Sequence, residues 1–194
     1  FLRFIIATSC IILIFINQKN TIAQNFDIEK SLISLRLKQI SNSIELNYNP
    51  IIFERIKSEI HNKETAELIG KYLEIKDFLE NELTQRSLPN QLLALPLAIS
   101  QLNSLYFNNL NQAGIWGLNP AVSIKYGLNI DRQIDERYDF YKSTGSALDY
   151  FQQLYDETQD YWLSILIFSN SKAAINNLNK SLKNTDNYWY IYQN

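Results

Sequence analysis

The spacing of apolar residues between positions 64 and 83 constrains the fold of this chain more than any other sequence feature. In the segment ETAELIGKYLEIKDFLENEL, apolar side chains recur every three or four positions, and charged side chains fill the remaining ones. This period places the apolar residues on one face of an α-helix, and the opposite charged face is expected to be solvated. The predicted buried face consists of Leu68, Tyr72, Ile75, Phe78 and Leu79.

Helical spacing extends over most of the chain, whereas runs of alternating polarity are few. The sequence has only 5 Gly and 4 Pro, which also favours helix. Pro89 suits the first turn of a helix, but Pro96 lies deeper and is expected to kink the helix or to leave a carbonyl without its usual partner. The sequence therefore predicts an all-α fold. Helices are expected at 26–40, 51–60, 64–83, 89–100, 113–126, 146–155, 161–171 and 173–182. The first of these segments could also be a linker.

The composition fits a globular domain with a sizeable core, with or without a helical extension. Of the 194 residues, 46% are hydrophobic and 20% are charged, which separates the chain from disordered proteins. The formal net charge is -2, and no basic patch typical of nucleic-acid-binding proteins is visible. We expect no nucleic-acid partner.

The N-terminal segment indicates export. Arg3 precedes an apolar stretch at residues 4–16, which has the length of a signal peptide and is short for a membrane span. Thr21 and Ala23 have the spacing of a cleavage site, so residues 1–23 are predicted to be a signal peptide, with an uncleaved anchor and membrane association as the alternative. The only cysteine, Cys10, lies inside this segment. The mature chain is therefore expected to contain neither a disulfide nor a thiolate nucleophile.

Taken alone, the polar and aromatic residues identify no chemistry. His61, the only histidine, lies in a polar stretch and is expected at the surface. No phosphate-binding glycine loop or metal-ligand spacing occurs, so no metal and no cofactor are predicted. The tryptophans could stack on sugar rings or belong to the core; they are Trp116, Trp162 and Trp189.

A cluster of carboxylates between residues 129 and 145 could suggest calcium or paired-carboxylate chemistry. Arginines are interleaved with these carboxylates, and the glycine spacing of a calcium loop is absent. We therefore interpret the segment as a connector with salt bridges. The charged residues concerned are Asp131, Arg132, Asp135, Glu136, Arg137 and Asp139.

From Leu88 to Asn194 the chain resembles the lytic murein transglycosylases of the membrane-bound D type. The pieces that carry the resemblance stand in the order and at the spacing of that family: RSLPNQLLALPLAIS, AGIWGLNPA, KYGLNIDRQIDERYD, STGSALDYFQQLYDETQDYWL and DNYWYIYQN. The resemblance implies a lysozyme-like SLT domain of the goose type at residues 85–194, preceded by a helical lead-in segment at residues 24–84.

The same resemblance implies that Ile99 occupies the position of the catalytic acid. In the family the corresponding helix ends in Glu-Ser, and that glutamate protonates the glycosidic oxygen between N-acetylmuramic acid and N-acetylglucosamine. It then acts as a base while the sugar's own 6-hydroxyl attacks, which yields a 1,6-anhydro product and requires a carboxyl of raised pKa. A sec-butyl side chain can neither donate nor accept a proton. No catalytic residue is therefore assigned.

The resemblance also implies that the substrate-binding positions are altered. Asn108 replaces a serine, Asn111 and Gln112 replace a Gly-Ala pair, Gly117 replaces a glutamine, and Ser169 replaces a tyrosine. By this correspondence the predicted substrate-binding residues are Ser100, Asn108, Gln112, Trp116, Gly117, Ser169 and Asn170.

Three functional hypotheses follow from this pattern. The first is a catalytically impaired domain in the periplasm or envelope that binds peptidoglycan glycan strands or an envelope protein partner. The second is an active lytic transglycosylase that uses another acid, although Glu82, Glu136 and Asp139 are not obvious substitutes. The third is a structural or assembly protein of the cell envelope.

Overall fold

The computed structural model describes residues 26–40, 49–60 and 62–170. These residues form seven α-helices and two short 3₁₀ turns, at Asn90–Leu93 and Glu136–Tyr138. Because the described residues pair only in isolated β-bridges outside the helices, the all-α prediction is confirmed. The helices are α1 (Phe26–Ile40), α2 (Pro50–Ile60), α3 (Lys63–Gln85), α4 (Ala94–Ser100), α5 (Pro120–Lys125), α6 (Phe140–Thr158) and α7 (Tyr161–Asn170).

Four predictions concern residues outside the described ranges. They are the signal segment, the surface position of His61, the helix at 173–182 and the position of Trp189.

The core forms where α6 packs against α7 and where α3 and α4 close over them. α3 contributes Tyr72, Leu79 and Leu83 to the buried cluster, so the predicted apolar face of this helix is confirmed. The strongly apolar helix α7 is buried through its second half, at residues 164–169. Within the described ranges, no helix is long and apolar enough to cross a bilayer.

The helix predicted over 113–126 is wrong in its first half. Gly114 and Gly117 have φ angles of +74° and +58°, which a right-handed helix does not contain. The α-helix begins only at Pro120, whose missing N–H costs nothing at the first position. The Asn119 side chain caps it by accepting a hydrogen bond from the Val122 N–H at 2.9 Å. Residues 113–118 are therefore a turn rather than a helix.

Helix α6 is longer than the prediction of Ser146 to Tyr155. It begins at Phe140 because the Asp139 carboxylate accepts a hydrogen bond from the Lys142 N–H at 3.0 Å, which caps the helix six residues earlier. Ser143 and Thr144 are buried in the added turns. The polar connector is correspondingly shorter and ends at Asp139.

The expected kink at Pro96 is also corrected. The chain forms a 3₁₀ turn at Asn90–Leu93 and becomes α-helical only at Ala94. Pro96 is therefore the third residue of α4, where a backbone N–H has no partner inside the helix in any case. This arrangement accommodates the proline at the start of a short, fully buried helix.

Candidate functional site

The last turn of α4 holds Ile99 and Ser100, the two positions that the sequence singled out. Every residue of this helix is buried. The helix ends at once because Gln101 and Leu102 are left-handed, with φ angles of +54° and +58°. Their N–H groups donate to Leu97 O at 3.1 Å and to Pro96 O at 3.3 Å, which satisfies carbonyls at the helix end. This cap fixes where the side chains of the last turn point.

Ser100 ties α4 to the turn at residues 113–118. Its hydroxyl lies 2.7 Å from Ile115 O and 3.0 Å from Pro96 O, and the side chain is buried. A hydroxyl has a single proton to donate, so these two carbonyls compete for it. Ser100 therefore positions the turn beside Ile99.

Ile99 is packed against Gly117. The Ile99 side chain is 6% exposed, and a Cβ placed on Gly117 would lie only 2.5 Å from its Cγ2 methyl. The Tyr106 ring approaches the same point, with Cε1 at 3.6 Å from that Cβ position. The two substitutions inferred at positions 99 and 117 are thus in direct contact. The methyl group of Ile99 fills the space that any side chain at 117 would need.

We refer to residues 103–112 as the Asn108 loop, because the Asn108 side chain organises it. Its Oδ1 accepts hydrogen bonds from the Leu110 and Gln112 N–H groups, both at 3.0 Å. Its Nδ2 donates to the Tyr106 hydroxyl at 3.0 Å and to Gln112 Oε1 at 2.7 Å. An amide side chain has two donor protons and two acceptor lone pairs, and all four are used here. Asn108 therefore has no hydrogen-bonding capacity left for a ligand.

Gln112 retains one free group. Its Oε1 is engaged by Asn108, but its Nε2 has no hydrogen-bond partner among residues that the structure describes. The side chain is partly exposed. Gln112 is thus the one predicted polar residue of this loop that can still donate to a ligand.

Trp116 lies in the core rather than on a binding surface. Its side chain is 1% exposed, and the indole N–H donates to Thr144 Oγ1 at 2.9 Å. The ring meets Phe168 edge-on, with the ring centroids 6.3 Å apart. In this position the indole is not available to stack on a sugar.

Ser169 is buried in α7, and its hydroxyl lies 2.8 Å from Ile165 O, one turn earlier in the helix. Asn170 is the last residue of that helix. The predicted positions therefore divide: Ser100, Trp116 and Ser169 are buried and bonded within the domain, whereas Asn108 and Gln112 lie on a partly exposed loop.

Arg137 joins the connector to the turn, a role that the sequence did not reveal. The side chain is 4% exposed. Its Nη1 donates to Asn111 O at 2.8 Å and to Leu118 O at 3.1 Å, and its Nη2 and Nε engage the Asp135 carboxylate. A Cβ on Gly114 would overlap the Arg137 carbonyl oxygen. The connector and the turn are therefore held in close contact.

Two carboxylates of the connector, Asp135 and Glu136, have lowered pKa values. A side-chain hydrogen bond from Arg137 lowers the pKa of Asp135, and hydrogen bonds from the Asn129 N–H and from Lys142 lower the pKa of Glu136. Asp139 caps α6. The salt-bridged connector is thus confirmed for Asp135, Glu136 and Arg137, and a general acid would require a raised pKa instead.

Glu82 is engaged as well. Its Oε2 lies 2.8 Å from Arg86 Nη1, and Arg86 Nε in turn lies 2.8 Å from Asp149 Oδ1. In the part of the chain that the structure describes, no three His, Cys, Asp or Glu side chains are grouped so as to hold a metal ion.

Comparison with known proteins assigns this arrangement to a family. The family model of the transglycosylase SLT domain matches residues 77–191, more than half of the chain. The chain belongs to the transglycosylase SLT domain family. The match covers α4, the Asn108 loop, the connector and α7, so the SLT domain contains every residue of the candidate site.

Two curated relatives are similar to part of this chain. Membrane-bound lytic murein transglycosylase D of Escherichia coli (strain K12) is 31% identical over 94 residues, which are 48% of this chain and 21% of the relative. A protein of Alteromonas sp. (strain M-1) named for tributyltin chloride resistance is 28% identical over 85 residues, which are 44% of this chain and 41% of the relative. The match thus spans about a fifth of the first relative and about two fifths of the second.

Proposed function

We propose that this SLT domain binds peptidoglycan glycan strands in the bacterial envelope without cleaving them. The single observation that carries the proposal is the packing of Ile99. An aliphatic side chain at the inferred acid position is buried against Gly117, and no proton donor occupies that point. Loss of a general acid typically costs about 10²–10⁴-fold in rate. Since this acid also serves as the base in the inferred reaction, we expect no measurable turnover.

The state of the other carboxylates supports this proposal over an active enzyme with a substitute acid. Glu82 is paired with Arg86, and Glu136 is paired with Lys142 and bonded to Asn129. A replacement acid would have to be protonated near neutral pH, which demands desolvation without a cationic partner. Neither carboxylate meets that requirement.

The proposal of glycan binding rests on the family and its relatives. The chain belongs to the SLT family and matches a lytic murein transglycosylase over 94 residues. Gln112 supplies a free amide donor on the partly exposed Asn108 loop. We place the domain in the periplasm or at the envelope, in accord with the predicted export signal.

The test is co-sedimentation of the purified full chain with peptidoglycan sacculi, followed by chromatography of the soluble products. We expect the protein in the pellet and no 1,6-anhydromuropeptides above the level of a protein-free control. Turnover that disappears when one carboxylate is replaced would contradict the proposal in favour of an active enzyme. Absence from the pellet would contradict glycan binding and favour a role with an envelope protein partner.

A further inference from the structure

Three short backbone segments between α4 and α5 pair into a miniature sheet. Phe107 pairs with Ala113, and Ala113 pairs with Leu118, each in an antiparallel bridge. Ala113 and Leu118 exchange two hydrogen bonds of 3.0 Å, so Ala113 is the centre of this sheet. At Leu118, one edge, the buried Arg137 side chain donates to the backbone carbonyl at 3.1 Å. Phe107 forms the other edge.

The hydrogen bonds on either side of Phe107 show which way its backbone faces. The Asn108 N–H donates to Gln112 O at 3.1 Å, and the Gly114 N–H donates to Tyr106 O at 2.9 Å. Because these two bonds flank the bridge, the N–H and C=O groups of Phe107 itself point away from the miniature sheet. Neither group has a hydrogen-bond partner among the residues that the structure describes. We call this open backbone position the Phe107 edge.

The Phe107 edge is apolar and lacks the usual protection of an unpaired edge. Leu105, Phe107 and Leu110 are 75%, 58% and 67% exposed. Proteins that keep an edge unpaired commonly place a charged side chain or a proline on it. The Asn108 loop contains neither, and the 38 residues from Ser87 to Ile124 include no Asp, Glu, Lys or Arg. Such an edge favours pairing with another backbone segment.

From these observations we infer that the Phe107 edge is a self-association surface, at which two copies of this chain pair about a two-fold axis. The N–H of each Phe107 donates to the C=O of the partner's Phe107, as in a hydrogen-bonded antiparallel pair. One residue pair thus satisfies all four open backbone groups. This inference goes beyond the proposed function and does not depend on it.

Charge and hydrogen bonding favour a second copy as the occupant of this edge. A two-fold interface brings the same surface of both copies together, so a charge near the axis would face its own like charge. The uncharged stretch at 87–124 has no such charge. A lipid bilayer is the less suitable occupant, because hydrocarbon would leave the Phe107 N–H and C=O groups without partners.

The experiment is sedimentation equilibrium of the purified full chain over a range of concentrations. The contact consists of one backbone pair and a few side chains, which is small beside the roughly 1,200 Å² that stable interfaces bury. We therefore expect a weak dimer with a dissociation constant of about 10–100 µM. The chain should be monomeric at about 1 µM and mostly dimeric at about 500 µM.

Two charged variants test the pairing of Phe107 with its own equivalent. In Phe107→Lys and in Phe107→Glu, like charges lie directly opposite each other, so each variant should dimerise at least about tenfold more weakly. An equimolar mixture places opposite charges face to face and should associate measurably more strongly than either variant alone at low salt. Leu73→Lys is the matched control, since Leu73 is an apolar residue on α3 that is 56% exposed.

The control should associate like the unmodified chain, and circular dichroism should show that all variants fold. An unmodified chain that stays monomeric over the whole range would overturn the inference, and so would a folded Phe107→Lys variant of unchanged association. A mixture no stronger than its two components would overturn pairing about a two-fold axis at Phe107. Flotation of a monomeric chain with phosphatidylethanolamine vesicles, lost in Phe107→Lys, would replace the second copy by a membrane contact.

Discussion

The uncharged stretch at residues 87–124 and the segment that follows it at residues 125–142 are in contact but differ in chemistry. The second segment has eight charged residues in 18 positions, and the first has none in 38. In the charged segment, Asp135 pairs with Arg137, Glu136 pairs with Lys142, and Asp139 caps α6. In the uncharged stretch, the position expected to hold an acid is apolar. The comparison teaches that the paired charges of the second segment serve the fold, and that the first segment folds without any charge.

Arg137 is the group that links the two segments, and its removal should have the largest effect. Arg137→Met leaves the Asn111 and Leu118 carbonyls without a donor and Asp135 without its cation. We expect a loss of about 3 kcal/mol in the free energy of unfolding. Urea denaturation measures it. Arg132→Met, at an exposed position, should stay within about 0.5 kcal/mol of the unmodified chain.

A second prediction tests the contact between Ile99 and Gly117. Gly117→Ala forces a side chain into a left-handed backbone and against the Ile99 methyl, which should cost about 2–3 kcal/mol of unfolding free energy. Part of that cost should vanish in a chain that already carries Ile99→Ala, with a coupling of about 1 kcal/mol.

Thermal denaturation of the four proteins in this cycle measures the coupling. Gly70→Ala is the control, because a Cβ there meets nothing within 4 Å and Gly70 lies in helix α3. Strict additivity of the two substitutions would mean that Ile99 and Gly117 do not shape each other's environment.

A smaller effect is expected at Asn108. Asn108→Ala removes four hydrogen bonds within the loop, but the loop is partly exposed and water replaces some of them. We expect a loss of about 1–2 kcal/mol in stability and faster hydrogen exchange at the amides of Leu110 and Gln112. Asn109→Ala, at the exposed neighbouring position, should change neither quantity.

The smallest expected effect is the pH dependence of the melting temperature. The pKa values of Asp135 and Glu136 are lowered in the folded protein, so their contribution to stability is complete above the unfolded pKa of about 4 and is lost as pH falls through the folded pKa. The melting temperature should therefore drop below about pH 4. Asp135→Asn should flatten part of that slope, and an unchanged slope would show that this ion pair is not responsible.

Much of the fold could be predicted from the sequence because its helices are periodic. The buried faces of α3 and α6 follow from apolar spacing, and α7 follows from an apolar run that only Ser164 interrupts. The turn at 113–118 could not be predicted in this way, since its geometry depends on Gly114 and Gly117 adopting positive φ beside other segments. Local spacing contains no information about such long-range contacts.

Only part of the candidate site could likewise be predicted from the sequence. The resemblance singles out position 99, but it does not predict the packing of the Ile99 methyl on Gly117. Trp116 was a candidate sugar platform because aromatic residues often are, yet its N–H meets Thr144, which lies 28 positions away in the chain.

The central proposal is that this SLT domain binds glycan strands and performs no chemistry on them. Chromatography of the products released from sacculi by the unmodified full chain tests this claim most directly. We expect the protein to sediment with the sacculi and no 1,6-anhydromuropeptides to be released. Release of these products, abolished by replacing a single carboxylate such as Glu82 or Glu136 with its amide, would contradict it.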